Sequence, residues 1–321
     1  MIRVGVEAAL DPTLFEGFTP LAELVRLPEE LDGDLDVEFW LSPVKLATLA
    51  QQLPHLRGLK VIQSIWAGVD AQRPLVPSGV MLCDARGVHD ISTAEWTLAA
   101  ILAMQKYLPF YFELQQQEDW SRRPEAQQLY LESHGLTKGF YPPAVVDELA
   151  GTTVLIVGYG SIGQAIEARL TPFGCKFLRV ARHGREGVAP VERLDAVLGE
   201  ADIVILIVPS TAETHHLMTA ERLGKLRHGA LLVNAARGPV VDTGALLDAL
   251  MAKRIRAAVD VTDPEPLPPG HPLWRAPNLL ITPHVAGSTA KFLGRAIKLA
   301  SEQVERYARR EPLLNVVSGS Y

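Results

Sequence analysis

The stretch VLIVGYGSIGQAI, residues 154–166, decides the fold of this chain. Its first four residues are apolar and favour a buried strand, and a helix-like segment follows a glycine-rich turn. The glycines of that turn are Gly158, Gly160 and Gly163. A strand, this glycine spacing and then a helix are typical of a unit that holds a pyrophosphate at a helix N-terminus. The motif therefore predicts a dinucleotide-binding unit.

Six short apolar runs from Gly151 onward predict the sheet of this unit. They are nearly continuously apolar, as parallel strands covered on both faces must be. Helix-like segments separate them, and this alternation predicts a doubly wound parallel sheet. The predicted strands are residues 152–157, 176–181, 202–208, 230–235, 256–261 and 278–283.

The first part of the chain shows the same alternation less clearly. Helical segments are predicted around 20–26 and 44–53, between apolar runs that favour strands. A long helix is predicted over 92–117, at the junction between two lobes, and another over 288–311, which returns to the first lobe. The predicted strands are residues 2–7, 37–42, 59–65 and 80–85.

These patterns predict an α/β protein with two doubly wound parallel-sheet lobes. The substrate-binding lobe is expected to be discontinuous, with residues 1–95 and 290–321, and the dinucleotide-binding lobe to comprise 96–289. Residues 121–148 are mixed in character and contain two adjacent prolines. We expect this stretch to be a loop insertion.

Composition excludes several classes of partner. The net charge of −6 provides no basic surface for nucleic acid or an anionic membrane. No apolar run approaches the roughly 18 residues that span a bilayer, and the amino terminus lacks the apolar stretch of a signal peptide. Two cysteines far apart suit a reducing compartment. A cytoplasmic protein is expected, and no His/Cys/Asp cluster has the spacing of a metal site.

The turn after the second predicted strand of the dinucleotide-binding lobe decides which cofactor is expected. In such units the strand ends in an acid that binds the ribose 2′-hydroxyl, and here that position is Ala181. Arg182 and Arg185 follow, and a guanidinium binds phosphate as a bidentate fork. NADP(H) is therefore the expected cofactor. NAD(H) is the alternative if the two arginines only form a solvated basic turn.

Polar residues of different types follow three of the predicted strands. Arg237 follows one strand, Asp260 and Glu265 lie at and just after the end of the next, and His284 follows the last. Because the carboxyl ends of parallel strands face the ligand crevice, we expect these residues in one site. Hydride addition to a keto carbon builds charge on oxygen, which needs a proton donor and a fixed cation. A histidine beside a carboxylate, with an arginine, suits that chemistry.

In this order the blocks resemble the D-isomer-specific 2-hydroxyacid dehydrogenases. The similarity runs from about Leu59 to Thr289. It implies a flavodoxin-like substrate lobe and a Rossmann lobe with the active site in the cleft, and a homodimer. The basic turn and Trp66 are similar to the branch of NADPH-dependent glyoxylate/hydroxypyruvate reductases. The blocks are GYGSIG (158–163), VNAARGPVVD (233–242), DVTDPEPLP (260–268) and ITPHVAGST (281–289).

The resemblance also implies a role for each site residue. Arg237 binds the substrate carboxylate and carbonyl, His284 is the acid/base, and Glu265 is its partner. The loop WAGVD (66–70) is similar to a substrate loop that binds the carboxylate through backbone N–H groups, here those of Gly68 and Val69. Trp66 in that loop is either a wall that limits substrate size or ordinary packing. The residues expected to bind the cofactor are Gly158, Gly160, Ser161, Ile162, Gly163, Arg182, Arg185, Asp260, which would hold the nicotinamide carboxamide, and Gly287.

The sequence therefore predicts an enzyme that reduces a small 2-keto acid with NADPH to the D-2-hydroxy acid. Glyoxylate and hydroxypyruvate are the leading substrates, because one arginine and a short backbone loop suit small carboxylates. An NAD-dependent enzyme such as a phosphoglycerate dehydrogenase is one alternative, which the scarcity of basic residues in the substrate loop disfavours. A dinucleotide-sensing corepressor or binding protein of the same fold is the other, and it would bind the cofactor with negligible turnover.

Overall fold

Two parallel sheets, one in each of two compact units, form the framework of the protein. The computed structural model describes residues 1–139 and 145–318. Unit 1 comprises Met1–Asp90 and Ser288–Tyr321, and unit 2 comprises Ile91–Gly287. The chain therefore leaves unit 1 once and returns to it after unit 2 is complete.

The strands are short and mostly buried. Those of unit 1 are β1 (Ile2–Glu7), β2 (Ala22–Leu27), β3 (Leu35–Asp36), β4 (Phe39–Leu41), β5 (Leu56–Arg57), β6 (Val61–Gln63) and β7 (Met81–Cys83). Those of unit 2 are β8 (Thr153–Val157), β9 (Lys176–Ala181), β10 (Ala189–Pro190), β11 (Ile203–Leu206), β12 (Leu231–Asn234), β13 (Arg256–Val259) and β14 (Leu279–Ile281).

Helices connect most of these strands. They are α1 (Leu46–Gln52), α2 (Asp90–Gln105), α3 (Leu108–Gln116), α4 (Glu125–His134), α5 (Ser161–Leu170), α6 (Leu194–Val197), α7 (Ala220–Lys225), α8 (Thr243–Met251) and α9 (Phe292–Ala308). None of the helices in the described part of the chain is both long and apolar enough to span a membrane.

The sheet of unit 1 has the order β2-β1-β4-β6-β7 with parallel pairing throughout, while β3 and β5 pair with each other. All three residues of β4 are buried, as expected for a parallel strand covered on both faces. Helix α9 buries one side of its surface, including Ile297 and Val304, against one face of this sheet. The predicted α/β class and the parallel sheet of the first lobe are thus confirmed.

The sheet of unit 2 has the order β10-β9-β8-β11-β12-β13-β14, again with parallel pairing throughout. All six strands predicted from Gly151 onward are present, and none is longer than the apolar run that predicted it. The strand order reverses between β8 and β11, because the chain builds outward from β8 through β9 and then returns to its other side. In such sheets ligands bind beyond the carboxyl ends of the strands at this switch point.

The helix predicted around 20–26 is wrong, because this segment forms β2. It pairs with β1 over six residues, from Ile2 opposite Ala22 to Glu7 opposite Leu27. Leu24 packs in one hydrophobic cluster of the unit, and its neighbour Val25 packs in the other. Successive side chains therefore point to opposite faces, which is the period of a strand. The spacing of apolar residues and the helix-forming Ala and Glu suggested a helix, but pairing with β1 overrides that preference.

The single helix predicted over 92–117 is two helices, α2 and α3, with a break at Tyr107. Tyr107 has a left-handed backbone with φ of 51°, and Pro109 lies in the first turn of α3. Proline has no N–H to continue the helix, so the C=O of Gln105 lacks its usual partner four residues on. That oxygen accepts a hydrogen bond from the N–H of Asp147 at 2.9 Å.

The loop insertion predicted over 121–148 is wrong for residues 125–134, which form α4. Pro124 precedes the helix, and Gly135 ends it with a left-handed φ of 64°. Proline near a helix start and glycine just after its end are the usual boundary residues, so the signal was present in the sequence. The two adjacent prolines, within residues 140–144, lie outside the described residues.

A partly buried polar cluster ties α4 to the rest of unit 2. The Nε2 of His134 lies 2.9 Å from Oδ2 of Asp147, and its Nδ1 lies 2.7 Å from the carbonyl oxygen of Tyr130. The buried guanidinium of Arg256 lies 3.6 Å from the same carboxylate oxygen. Burial raises the pKa of Asp147, but the hydrogen bond and charge of His134 and the charge of Arg256 outweigh it and lower the pKa.

This cluster should make stability depend on pH through Asp147. Its pKa is lower in the folded chain, so its contribution is present at neutral pH and is lost as pH falls below about 4, the ordinary pKa of an aspartate. Asp147→Asn should cost on the order of 3 kcal/mol at pH 7, because it leaves the buried guanidinium of Arg256 with a neutral partner. Urea unfolding between pH 7 and pH 3 measures this. The loss of stability caused by Asp147→Asn should be smaller at pH 3 than at pH 7. Glu148→Gln, at an exposed residue, should change the free energy of unfolding little at either pH. Equal stability of parent and Asp147→Asn at pH 7 would contradict it.

Candidate active site

The glycine-rich loop lies at the switch point of unit 2, between β8 and α5. Gly158 has a φ of +104°, and a side chain there would place Cβ 2.3 Å from the carbonyl oxygen of Ile207. At Gly163 a Cβ would lie 2.6 Å from the carbonyl oxygen of Gly158, so only glycine permits this close packing of helix on turn. Gly160, the N-cap of α5, has open space where a Cβ would be.

Open space beside a helix N-terminus is what a pyrophosphate requires, since the helix dipole favours an anion there. Ser161 and Ile162 begin α5 and so stand next to that space. The arrangement fits the phosphates of a dinucleotide. Their assignment as cofactor residues stays a prediction.

The basic turn follows β9, whose last residue is Ala181. Arg182 donates from Nη2 to Oε1 of Glu213 at 2.6 Å, and both side chains are about half exposed. Arg185 donates to the carbonyl oxygen of Tyr159, inside the glycine-rich loop, and its guanidinium lies 5.7 Å from the centre of the Tyr159 ring. Arg185 therefore adjoins the loop expected to hold the cofactor, and Arg182 is held by Glu213.

Arg237 lies just beyond the carboxyl end of β12, at the start of a 3₁₀ turn over Gly238–Val240. Buried Asn234, the last residue of β12, shapes this turn. Its side chain accepts from the N–H of Ala236 at 3.0 Å and donates to the carbonyl oxygen of Arg237 at 3.0 Å. Sequence reasoning missed Asn234, although a polar residue ending an apolar strand was visible. The guanidinium of Arg237 is partly buried and donates to the carbonyl oxygen of Ala236 at 2.8 Å.

Asp260, directly after β13, organises the turn that carries His284. One carboxylate oxygen accepts from the Thr282 hydroxyl at 2.6 Å and from the N–H of Val285 at 2.9 Å. The other accepts from the N–H of Ala286 at 2.8 Å. The backbone oxygen of Asp260 also accepts from the N–H of His284 at 2.7 Å. These hydrogen bonds hold the turn against β13, a role that sequence reasoning missed, and the predicted contact of Asp260 with the cofactor stays a prediction.

Glu265 and His284 form a hydrogen-bonded pair. Oε1 of Glu265 lies 2.6 Å from Nδ1 of His284, and the two side chains are 39% and 46% exposed, so a ligand in solution can reach them. Because a carboxylate only accepts, Nδ1 carries a proton and Nε2 is the atom that gains or loses one. His284 has a left-handed φ of 54°, which the hydrogen bonds to Asp260 maintain. The predicted partners, 19 residues apart in the sequence, are thus in contact.

A cavity of about 280 Å³ adjoins this pair within unit 2. Its lining includes Asp260, Glu265, Thr282, His284 and Trp274, whose ring was not singled out in the sequence. The Trp274 side chain is half exposed and donates from Nε1 to the carbonyl oxygen of Pro268 at 3.0 Å. Gly287 follows the same turn, and its carbonyl oxygen accepts from Ser92 Oγ at 3.4 Å.

The predicted substrate loop lies in unit 1, after β6. Trp66 is partly buried in an aromatic cluster, with ring centres 5.6 Å from His89 and 5.2 Å from Phe292. Within unit 1, Trp66 therefore packs against other aromatic rings. Among residues 1–139 and 145–318, no acceptor receives a hydrogen bond from the N–H of Gly68 or Val69. Their assignment as donors to the substrate carboxylate stays a prediction.

Comparisons with known proteins identify the family. A family model described as "D-isomer specific 2-hydroxyacid dehydrogenase, NAD binding domain" matches residues 98–286. A glyoxylate reductase from Thermofilum pendens is 35% identical over 265 residues, covering 79% of this chain and 74% of its own. Two crystal structures superpose on nearly the whole chain.

One is an NADPH-dependent glyoxylate/hydroxypyruvate reductase from Sinorhizobium meliloti in complex with NADP and sulfate. It has a TM-score of 0.80 and 25% identity, and the match covers 99% of this chain and 98% of that one. The other is a D-isomer specific 2-hydroxyacid dehydrogenase from Xanthobacter autotrophicus in complex with NADPH and MES. Its TM-score is 0.77 at 27% identity, with the same coverage. The chain belongs to the family of D-isomer-specific 2-hydroxyacid dehydrogenases, as its sequence motifs predicted.

Proposed function

We propose that this protein reduces a small 2-keto acid to the D-2-hydroxy acid with NADPH, and that glyoxylate and hydroxypyruvate are its leading substrates. The observation that carries the proposal is the pair of Glu265 and His284, 2.6 Å apart and open to solvent. It stands at the same edge of the unit 2 sheet as the glycine-rich loop. An acid/base pair beside a dinucleotide site is what reversible hydride transfer to a carbonyl requires.

The residues have separable roles in this proposal. The loop from Gly158 to Gly163 would hold the phosphates of NADPH, which would supply the hydride when bound. His284 gives the proton on Nε2 to the oxygen of the reacting carbonyl, and Glu265 stabilises the imidazolium and fixes the ring through Nδ1. Arg237 presents a planar guanidinium to the substrate carboxylate and carbonyl. Asp260 holds the turn of His284 in place.

Support for NADPH over NADH comes from the turn after β9. Ala181 leaves no carboxylate where one would repel a 2′-phosphate, and Arg182 and Arg185 follow it. The two crystal structures above were solved with NADP or NADPH. Each charged hydrogen bond to the phosphate contributes about 1.5–3 kcal/mol, or roughly one to two powers of ten in affinity.

The preference should depend on Arg182. The parent enzyme should have at least about tenfold higher kcat/KM for NADPH than for NADH, because one charged hydrogen bond to the 2′-phosphate contributes about that factor. Arg182→Ala should remove most of that difference and leave kcat/KM for NADH nearly unchanged. Exposed Arg193→Ala, which removes the same charge elsewhere in unit 2, is the matched control. Steady-state rates with each cofactor measure the ratio, and a parent enzyme that favours NADH would refute the preference.

The expected homodimer also stays a proposal. It is supported by large apolar side chains on the surface of unit 2: Leu108 is 53% exposed, Phe112 60% and Trp120 86%. Exposed apolar side chains concentrated in one stretch of chain are typical of a surface that another protein covers.

A further inference from the structure

The ion pair of Arg182 and Glu213 joins two strand ends that flank the glycine-rich loop. Arg182 directly follows β9, and Glu213 lies in the segment after β11. These strands pair with opposite sides of β8, whose carboxyl end leads into the loop. The 2.6 Å contact between Arg182 and Glu213 therefore crosses the switch point of the sheet. The proposed function places the adenosine half of the cofactor there.

Glu213 is held in a well-defined turn. The N–H of Thr211 donates to Oγ1 of Thr214 at 2.8 Å, and that hydroxyl donates to the carbonyl oxygen of Pro209 at 2.7 Å. The N–H of Thr214 donates back to the carbonyl oxygen of Thr211 at 3.2 Å. These hydrogen bonds fix the backbone on both sides of Glu213. The held backbone keeps the carboxylate of Glu213 within reach of Arg182.

We propose that Glu213 is a specificity-determining residue, which limits the preference for NADPH by competing with the 2′-phosphate for Arg182. This inference rests on the proposed use of NADPH. The phosphate and the Glu213 carboxylate are both anions that hydrogen-bond to a guanidinium, so the one can occupy Arg182 only where the other does not. The 2′-phosphate must therefore displace Glu213 from Arg182. NADH carries no such group and gains nothing from opening the pair.

The expected size of the effect follows from the exposure of the pair. Exposed ion pairs contribute at most about 1 kcal/mol, which corresponds to about fivefold in affinity. Glu213→Gln keeps the shape of the side chain and removes its charge. It should therefore strengthen binding of a 2′-phosphorylated ligand about three- to fivefold without affecting the ligand that lacks this phosphate.

The test uses adenosine 2′,5′-bisphosphate and AMP as probes, with dissociation constants measured by calorimetry on the full-length protein. Glu213→Gln should lower the constant for the bisphosphate only, and the gain should vanish in the Arg182→Ala background. Glu221→Gln is the matched control. It removes the same charge from the same unit, where Glu221 forms an ion pair with Lys225 at 2.7 Å. Steady-state KM for NADPH should fall in parallel with the bisphosphate constant, with KM for NADH unchanged.

Each other outcome has a distinct meaning. If Arg182→Ala weakens the bisphosphate but Glu213→Gln leaves it unchanged or weakens it, the competition is refuted and the proposed use of NADPH stands. A gain in the Glu213→Gln variant that persists without Arg182 also refutes it, since Glu213 would then repel the phosphate directly. If Arg182→Ala has no effect on the bisphosphate, the assignment of the phosphate site fails, and the inference fails with it.

Discussion

Alanine in place of His284 should lower kcat for keto-acid reduction by about 10²–10⁴-fold, the usual contribution of a positioned general acid. Binding of NADPH should be unchanged, because the side chain acts on the substrate oxygen. His55→Ala, a change at a partly exposed histidine of unit 1, should leave kcat as it was. Single-turnover rates and cofactor titration by fluorescence separate the two effects.

The pH dependence of Glu265→Gln tests the same pair more finely. Reduction requires the protonated imidazole, and oxidation of the hydroxy acid requires the neutral one. The carboxylate of Glu265 favours the charged ring, so His284 should release its proton at lower pH when a neutral glutamine replaces Glu265. The alkaline limb of the reductive profile should then move to lower pH, and oxidation should extend to lower pH by the same amount. A fully active variant with both profiles in their parental positions would contradict the pairing.

Arg237→Lys should lower kcat/KM for the keto acid by about 10- to 100-fold or more. Lysine keeps the charge but loses the planar fork that matches a carboxylate and its neighbouring carbonyl, and each lost charged hydrogen bond costs about 1.5–3 kcal/mol. NADPH affinity should not change. Arg275→Lys, at an exposed arginine of unit 2, is the control. Undiminished turnover in the Arg237→Lys variant would remove Arg237 from the site.

The sheet of unit 2 could be predicted strand by strand, because its strands are buried on both faces and their apolar runs are short and bounded. Strand β2 of unit 1 could not be predicted. It has a single neighbour, β1, in the sheet, and its Ala and Glu residues favour a helix when considered alone. Pairing with β1 decides its structure, and that contact is not local in sequence.

The candidate site, too, could be predicted from the sequence only in part. The resemblance to the family implied that Glu265 and His284 are partners, and the structure brings them into contact. The three hydrogen bonds from the turn around His284 to the carboxylate of Asp260 depend on a backbone conformation that no motif describes. The ion pair of Arg182 and Glu213 joins residues 31 apart, from two strand ends that only the sheet order relates.

The most direct test of the central claim is NADPH oxidation by the purified protein, measured against a panel of small 2-keto acids that includes glyoxylate and hydroxypyruvate. We predict rapid oxidation that depends on the keto acid, is greatest with the small members of the panel and is nearly abolished in the His284→Ala variant. Tight binding of NADPH with no turnover of any keto acid would contradict the claim and would favour a dinucleotide-sensing protein of the same fold.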